Sequence, residues 1–121
     1  MGTRFVATYE CDASIEFKNA YISSKEEDID FILSPVGMPG QAIINPFIKK
    51  VKTQKEKITK CYNCLTPCSP VKSPYCISEA LINAVKGNVD EGLVFIGRKG
   101  YKIDKIVSVE ELIHELSTVI Q

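Results

Sequence analysis

The chain has no surplus of charge: fifteen basic residues are cancelled by fifteen acidic ones. That balance offers no electrostatic footprint for nucleic acid or for an anionic membrane surface. The one locally basic stretch, Lys49 to Lys60, also holds Glu56 and has no interleaved aromatic residue, so it reads as a solvated helix face. No apolar run approaches the ~20 residues that a membrane span needs. No basic lead precedes an apolar core at the N-terminus, so export is not expected and a cytoplasmic setting is. Histidine is nearly absent as well. The single His114 sits beside Ile113 and reads as an exposed or boundary residue of a helix. There is neither an internal repeat nor a low-complexity segment.

What remains is an ordinary globular composition, 45% apolar and 25% charged over 121 residues, which suits one domain. Five cysteines without a secretory leader point to a reducing compartment, with thiols or metal ligands favoured over disulfides.

The chain opens on Met1-Gly2-Thr3-Arg4-Phe5-Val6-Ala7-Thr8. Its short apolar run Phe5-Val6-Ala7 predicts a buried strand, although a run this short does not by itself distinguish a strand from a helical turn. Asp12 or Ser14 caps a helix carrying Ile15, Phe17, Ala20 and Tyr21, which ends near Ser23-Ser24. Glu26-Glu27-Asp28 is a polar turn. Ile29, Phe31 and Leu33 then alternate with Asp30 and Ile32 as a weak strand. The segment 34–40, with two prolines and two glycines, reads as a rigid loop without regular structure. Asn45-Pro46 is an N-cap followed by proline at the first helical position, with Phe47, Ile48 and Val51 as the buried stripe. Ala42-Ile43-Ile44 could extend that helix by a turn ahead of a kink at Pro46.

Residues 55–73 form the longest stretch without periodicity, and a loop of that length is functional, clamped or disordered. Ser73-Pro74 predicts the start of a helix that Gly87 ends, with Ile77, Leu81, Ala84 and Val85 on one face. Gly92 to Gly97 is a buried segment between glycines, and Tyr101-Lys102-Ile103 reads as extended. Ser108 and Glu111 form a capping box for a last helix that carries Val109, Leu112, Ile113, Leu116, Val119 and Ile120 at helical spacing.

Two groups of residues carry chemistry. Gly2 and Thr3 offer backbone N–H groups and a hydroxyl of the kind that holds a phosphate, though read alone Gly-Thr before an apolar run carries almost no signal and is an ordinary strand start. The cysteines run Cys61-x2-Cys64-x3-Cys68-x7-Cys76. Four thiolates can close a tetrahedral zinc site or hold an iron–sulfur cluster. The spacing matches neither a zinc ribbon nor the ferredoxin run, and free thiols or disulfides are the alternatives. Pro67, Pro70 and Pro74 restrict the loop. Cys11 stands apart as a small core residue. Arg4 and Arg98 are candidate anion partners by residue type only.

Three blocks in order resemble one family. Met1 to Phe5 with Cys11-Asp12-Ala13, Ser34 to Ile43 with Asn45-Pro46-Phe47, and the cysteine run with Pro74-Tyr75-Cys76-Ile77 and Gly92 to Gly97 are similar to the nitronate monooxygenases (2-nitropropane dioxygenases). These are FMN-dependent (β/α)8 barrels related to the FMN-type enoyl-acyl-carrier-protein reductases. The resemblance implies an α/β fold, with residues 1–33 as the last barrel strand and its helix. Residues 34–121 would be a helical extension with a cysteine-rich loop at 55–76. It implies that Met1, Gly2 and Thr3 contact the FMN phosphate. In the parent enzyme an alkyl nitronate would be oxidised with O2 to a carbonyl compound and nitrite. Pro35, Gly37, Met38, Pro39 and Gly40 would then shape the substrate side or serve as a structural crossover. The barrel's seven other strands are absent from these residues. The chain is therefore expected to be the C-terminal portion of such an enzyme, a split or truncated frame or a fragment. Its partner would be the N-terminal barrel portion, its unpaired strand edge invites self-association, and these residues alone would be inactive. The alternatives are an enoyl-thioester reductase of the same fold, or a small module whose function is a four-cysteine metal or cluster site.

Overall fold

The computed structural model describes residues 2–35, 37–54, 56, 58, 60–66 and 68–120. Five helices and one antiparallel hairpin make a mixed α/β structure: α1 (Gly2–Val6), α2 (Ile15–Ser23), β1 (Ile29–Leu33), β2 (Pro39–Ile43), α3 (Pro46–Thr53), α4 (Ile77–Lys86) and α5 (Val109–Ile120). Short 3-10 turns fall at Glu26–Asp28, Val89–Glu91 and Gly100–Lys102.

Helix ends follow their local chemistry. Ser14 Oγ accepts from the Phe17 N–H at the start of α2, and Asn45 Oδ1 accepts from the Ile48 N–H at the start of α3. The Ser108 and Glu111 side chains and backbone N–H groups bond reciprocally at α5. Gly87 ends α4 in the left-handed region, at φ 109°.

The hairpin pairs Ile29 with Ile43 and Leu33 with Pro39. Its loop closes through Gly37 at φ 83°, whose N–H donates to the Ser34 carbonyl. The segment after Gly92 lies along the far side of β2. Ile43 N–H donates to Val94 O, Ile96 N–H donates to Gln41 O, and Ala42 bridges Phe95. β2 is therefore bonded on both sides, and Ala42 is fully buried.

The core divides on this ribbon because successive strand residues face opposite ways. On one face Ile32, Ala42 and Leu93 pack with Ile48, Tyr75 and Ala80 from the helical side. On the other, Val94 and Ile96 pack with Tyr21 and Ala84, and Ile29, Ile43 and Phe17 join them. Contact with α4 is close because residue 92 is glycine. A Cβ there would lie 2.6 Å from Ala84 N and 2.8 Å from Ala80 O.

Several expectations are corrected. Residues 2–6 form a helix rather than a buried strand. The only pairing near them is a single parallel bridge between Thr8 and Val107. Among the described residues nothing flanks this segment as strand partners on both sides, whereas a helical turn satisfies its own backbone groups. Pro39-Gly40 and Ala42-Ile43 belong to β2, not to a loop or a helical turn, because β1 and residues 93–96 offer them ladder partners. α4 starts at Ile77, with Cys76 as its N-cap, rather than at Ser73-Pro74. Its buried face is Ala80 and Ala84, leaving Leu81 and Val85 partly exposed, because only small residues admit the approach of Gly92. Residues 100–102 are a 3-10 turn, not extended chain. The odd face of β1 is covered only at Ile29, which packs with the Tyr21 cluster; Phe31 and Leu33 are exposed. Ile113 and Val119 on α5 are exposed likewise. No helix among the described residues is long and apolar enough to cross a membrane.

Asn45 joins three elements. Besides capping α3, its Nδ2 donates to the carbonyls of Val89 and Gly92 at 2.7 and 2.8 Å. Replacing it by alanine removes the cap and leaves those carbonyls without their donor. Asn45→Ala is expected to cost about 2–3 kcal/mol in urea unfolding, and Asn45→Ser, which can still cap, to recover about 1 kcal/mol of that.

Tyr21 makes the reciprocal tie from α2: its hydroxyl donates to Phe95 O at 2.6 Å. Burial, with a smaller contribution from charge on Cys11, pushes the Tyr21 phenol from 10.0 up to about 12. Burial alone does the same for Tyr75, also to about 12. The unfolded chain loses these protons first as the pH rises. The stability they confer is therefore whole below pH 10 and is lost as the pH climbs toward 12. Denaturant midpoints measured across that interval should fall steadily, and less steeply in Tyr21→Phe.

Candidate functional site

The two residues that the sequence singles out at its start lie at the opening of α1. Met1 is outside the described residues. Gly2 is exposed, and a Cβ added to it would meet nothing within 4 Å. Thr3 is turned toward the segment after Ile96: its Oγ1 accepts from the Gly97 N–H at 3.0 Å. That contact leaves the threonine hydroxyl proton free to donate elsewhere.

Around it the chain closes a cavity of about 370 Å³, lined by Thr3, Arg4, Gly97, Lys99, Gly100, Lys102 and Ile103. The Gly97-Arg98-Lys99-Gly100 turn is held by the Gly100 N–H donating to Gly97 O at 2.8 Å. Gly100 must lack a side chain, because a Cβ would come 2.3 Å from Ile96 Cγ1 and 3.1 Å from Thr3 Cγ2. Three cations and no carboxylate line this cavity. Arg4 is already engaged by Glu115 at 2.8 Å. In an adjoining cavity Asp104 and Glu115 balance Arg4, Lys102 and Lys105.

A second cavity, about 400 Å³, lies between α3 and α4 and has the opposite character. Glu56, Glu79, Asp90 and Glu91 line it against one cation, Lys50, which Glu56 holds at 2.5 Å. Tyr75 also lines it, and its buried hydroxyl has no hydrogen-bond partner among the described residues. A phosphate would be repelled from this cavity and attracted to the one at Thr3.

The other sequence candidates are dispersed. His114 is exposed on α5 and Arg98 is exposed on its turn. Pro35 to Gly40 include the hairpin tip, where Met38 is largely exposed, and Gly40 lies under the Phe95 ring. Sequence reasoning passed over Gly97, Lys99, Gly100 and Lys102. The signal that could have found them is two basic residues between two glycines with a third basic residue just beyond. The contribution of Thr3 from 94 residues away could be learned only from the fold.

The cysteines are not gathered. Cys61 Sγ engages its neighbour Asn63, Cys64 is exposed, Cys68 Sγ contacts Ser73 Oγ at 3.3 Å, and Cys76 caps α4 by position without a side-chain bond. All five cysteines are free, and Cys11 is only half-buried. Among the described residues no three His, Cys, Asp or Glu side chains are grouped to hold a metal ion. Zinc and an iron–sulfur cluster therefore find no support in the geometry. Pro67, one of the three prolines expected to restrict this loop, is outside the described residues. Cys61→Ser with Cys64→Ser is expected to shift stability by no more than about 0.5 kcal/mol, and a strong chelator to leave the thermal midpoint unchanged.

Comparison with known proteins gives the family and the fold. The family described as nitronate monooxygenase matches residues 1–118. No curated protein matches. Among solved structures, FabK from Thermotoga maritima superposes with a TM-score of 0.72 at 24% identity, over 98% of this chain and 35% of FabK. A methionine-to-alanine mutant of FabK from the same organism gives 0.71 at 22%, over 98% of this chain and 32% of its own. The chain thus spans about a third of the length of the structures it resembles, and shares their fold over that third. With nearly every residue inside the family match, this chain belongs to the nitronate monooxygenase family.

Proposed function

We propose that this chain forms the phosphate-holding end and C-terminal cap of an FMN-dependent oxidoreductase that oxidises alkyl nitronates with O2 to carbonyl compounds and nitrite. The single observation that carries the reading is the cavity at Thr3. A residue assigned to the FMN phosphate by family resemblance lines a cavity with cations, glycines and no carboxylate. The donor set suits the phosphate end of FMN. The described residues supply no comparable setting for its ring, which would lie against other parts of the whole enzyme.

α1 supports the same reading in a way that the expected strand would not. In (β/α)8 barrels a phosphate is frequently held by the loops after strands seven and eight together with a short extra helix. The five-residue helix Gly2–Val6, which carries Gly2 and Thr3, suits that extra helix. Gly2 leaves the approach to the backbone open, and the Thr3 hydroxyl can donate to a phosphate oxygen while accepting from Gly97 N–H. The contact of Arg4 with Glu115 fixes α1 against α5 and so holds Thr3 in place. When bound, FMN would supply the electron-accepting chemistry.

A second reading differs only in the substrate: reduction of an enoyl thioester. The likeness to FabK favours it as a fold, and nothing in this third of the enzyme selects between the two.

The test is direct. Protein taken from its natural source in native form is expected to release FMN on denaturation and to form nitrite from an alkyl nitronate in the presence of O2. Nicotinamide-dependent loss of an enoyl thioester with no nitrite would select the second reading, and absence of flavin would remove both. The 121 residues alone, supplied with FMN and nitronate, are expected to give no nitrite.

A further inference from the structure

We propose that Lys99 and Lys102 complete, with Thr3, a subsite for a phosphate monoester, and that the Gly97–Gly100 turn exists to present them. On the flavin reading above, this ligand is the phosphate of FMN. The shared chemistry is the phosphate group itself, and the test separates FMN from free inorganic phosphate.

The argument rests on four features of the cavity. First, its charge is one-sided: Arg4, Lys99 and Lys102 line it and no carboxylate does. Second, the two lysines have no ion pair or hydrogen bond from their side chains among the described residues, whereas Arg4 is already engaged by Glu115. Two unpaired lysines on one cavity repel each other, an arrangement that an arriving anion relieves. Third, the cavity's width depends on missing side chains. A Cβ at Gly97 would come 3.3 Å from Thr3 Oγ1, and one at Gly100 would strike Ile96 and crowd Thr3 Cγ2. Fourth, the Gly97 N–H already occupies an acceptor position of Thr3 Oγ1 at 3.0 Å, so that hydroxyl is oriented as a donor.

The floor and rim have different roles. Gly100 and Ile103 are buried and tied by the Gly100 N–H to Gly97 O and the Ile103 N–H to Gly100 O. Lys99 and Lys102 are exposed, so their ammonium groups reach the ligand from flexible stems as point charges. Their contribution should therefore weaken with added salt.

The experiment is calorimetric titration of the 121-residue chain with inorganic phosphate, FMN and riboflavin, at low and moderate salt. Lys99→Ala/Lys102→Ala is the test variant and Lys49→Ala/Lys52→Ala, on the exposed side of α3, is the control; thermal unfolding confirms that each folds. The expected result is FMN bound at least tenfold more tightly than riboflavin. In Lys99→Ala/Lys102→Ala that preference should fall about tenfold, and in the control it should remain. Lysine-dependent binding of inorganic phosphate with no preference for FMN over riboflavin would support the subsite while removing FMN as its ligand. FMN preferred equally by wild type and the Lys99→Ala/Lys102→Ala variant would overturn the subsite and leave the flavin reading standing. Failure of both phosphate and FMN to bind would overturn the subsite outright.

Discussion

One amide side chain decides how the two halves of this structure meet. Asn45 follows β2 by two residues, caps α3, and donates through its Nδ2 to two carbonyls of the backbone that leads into Leu93. A cap alone would fix only the helix. The two additional bonds fix the Val89–Gly92 turn against it, and so set where residues 93–96 begin to pair with β2. Without that pairing β2 would be an edge, and the ribbon that separates the two core clusters would be a bare hairpin, marginal in water.

The glycines matter where backbones are forced together. Gly92 lies against α4 so closely that Leu93 N–H donates to Ala80 O, a helix carbonyl. This contact brings Leu93 into one core cluster and Val94 into the other, and it explains why α4 buries alanines while its larger apolar residues stay partly exposed. At the other end, Gly97 and Gly100 let the turn approach α1, so that the Gly97 N–H reaches Thr3 Oγ1. Apolar residues left in the open, Phe31 and Leu33 on β1 and Val119 on α5, are consistent with a chain that covers a third of its structural relatives.

What could be read in the sequence and what could not follow from the range of the forces involved. Ser14, Asn45-Pro46, Ser108 with Glu111, and Gly87 announce helix ends because capping acts across three or four residues, and all four did so correctly. The opening segment misled because three apolar residues carry no period, and whether they become strand or helix depends on partners elsewhere in the chain. The cysteine spacing suggested ligands, yet spacing does not fold a loop: Cys61 and Cys68 engage local partners, and the thiols are not gathered among the described residues.

The sequence by itself determined the capped helix ends, the overall balance of charge, and the family, since these depend on composition, on residues close together or on ordered blocks. Tertiary structure alone decided the site. Thr3 meets Gly97, and Lys99 and Lys102 share its cavity, because Thr8 pairs with Val107 and Arg4 with Glu115, closing the chain's ends on one another. Such contacts join residues about a hundred positions apart. Local propensity carries no information over that distance, and only the packed core that links them does.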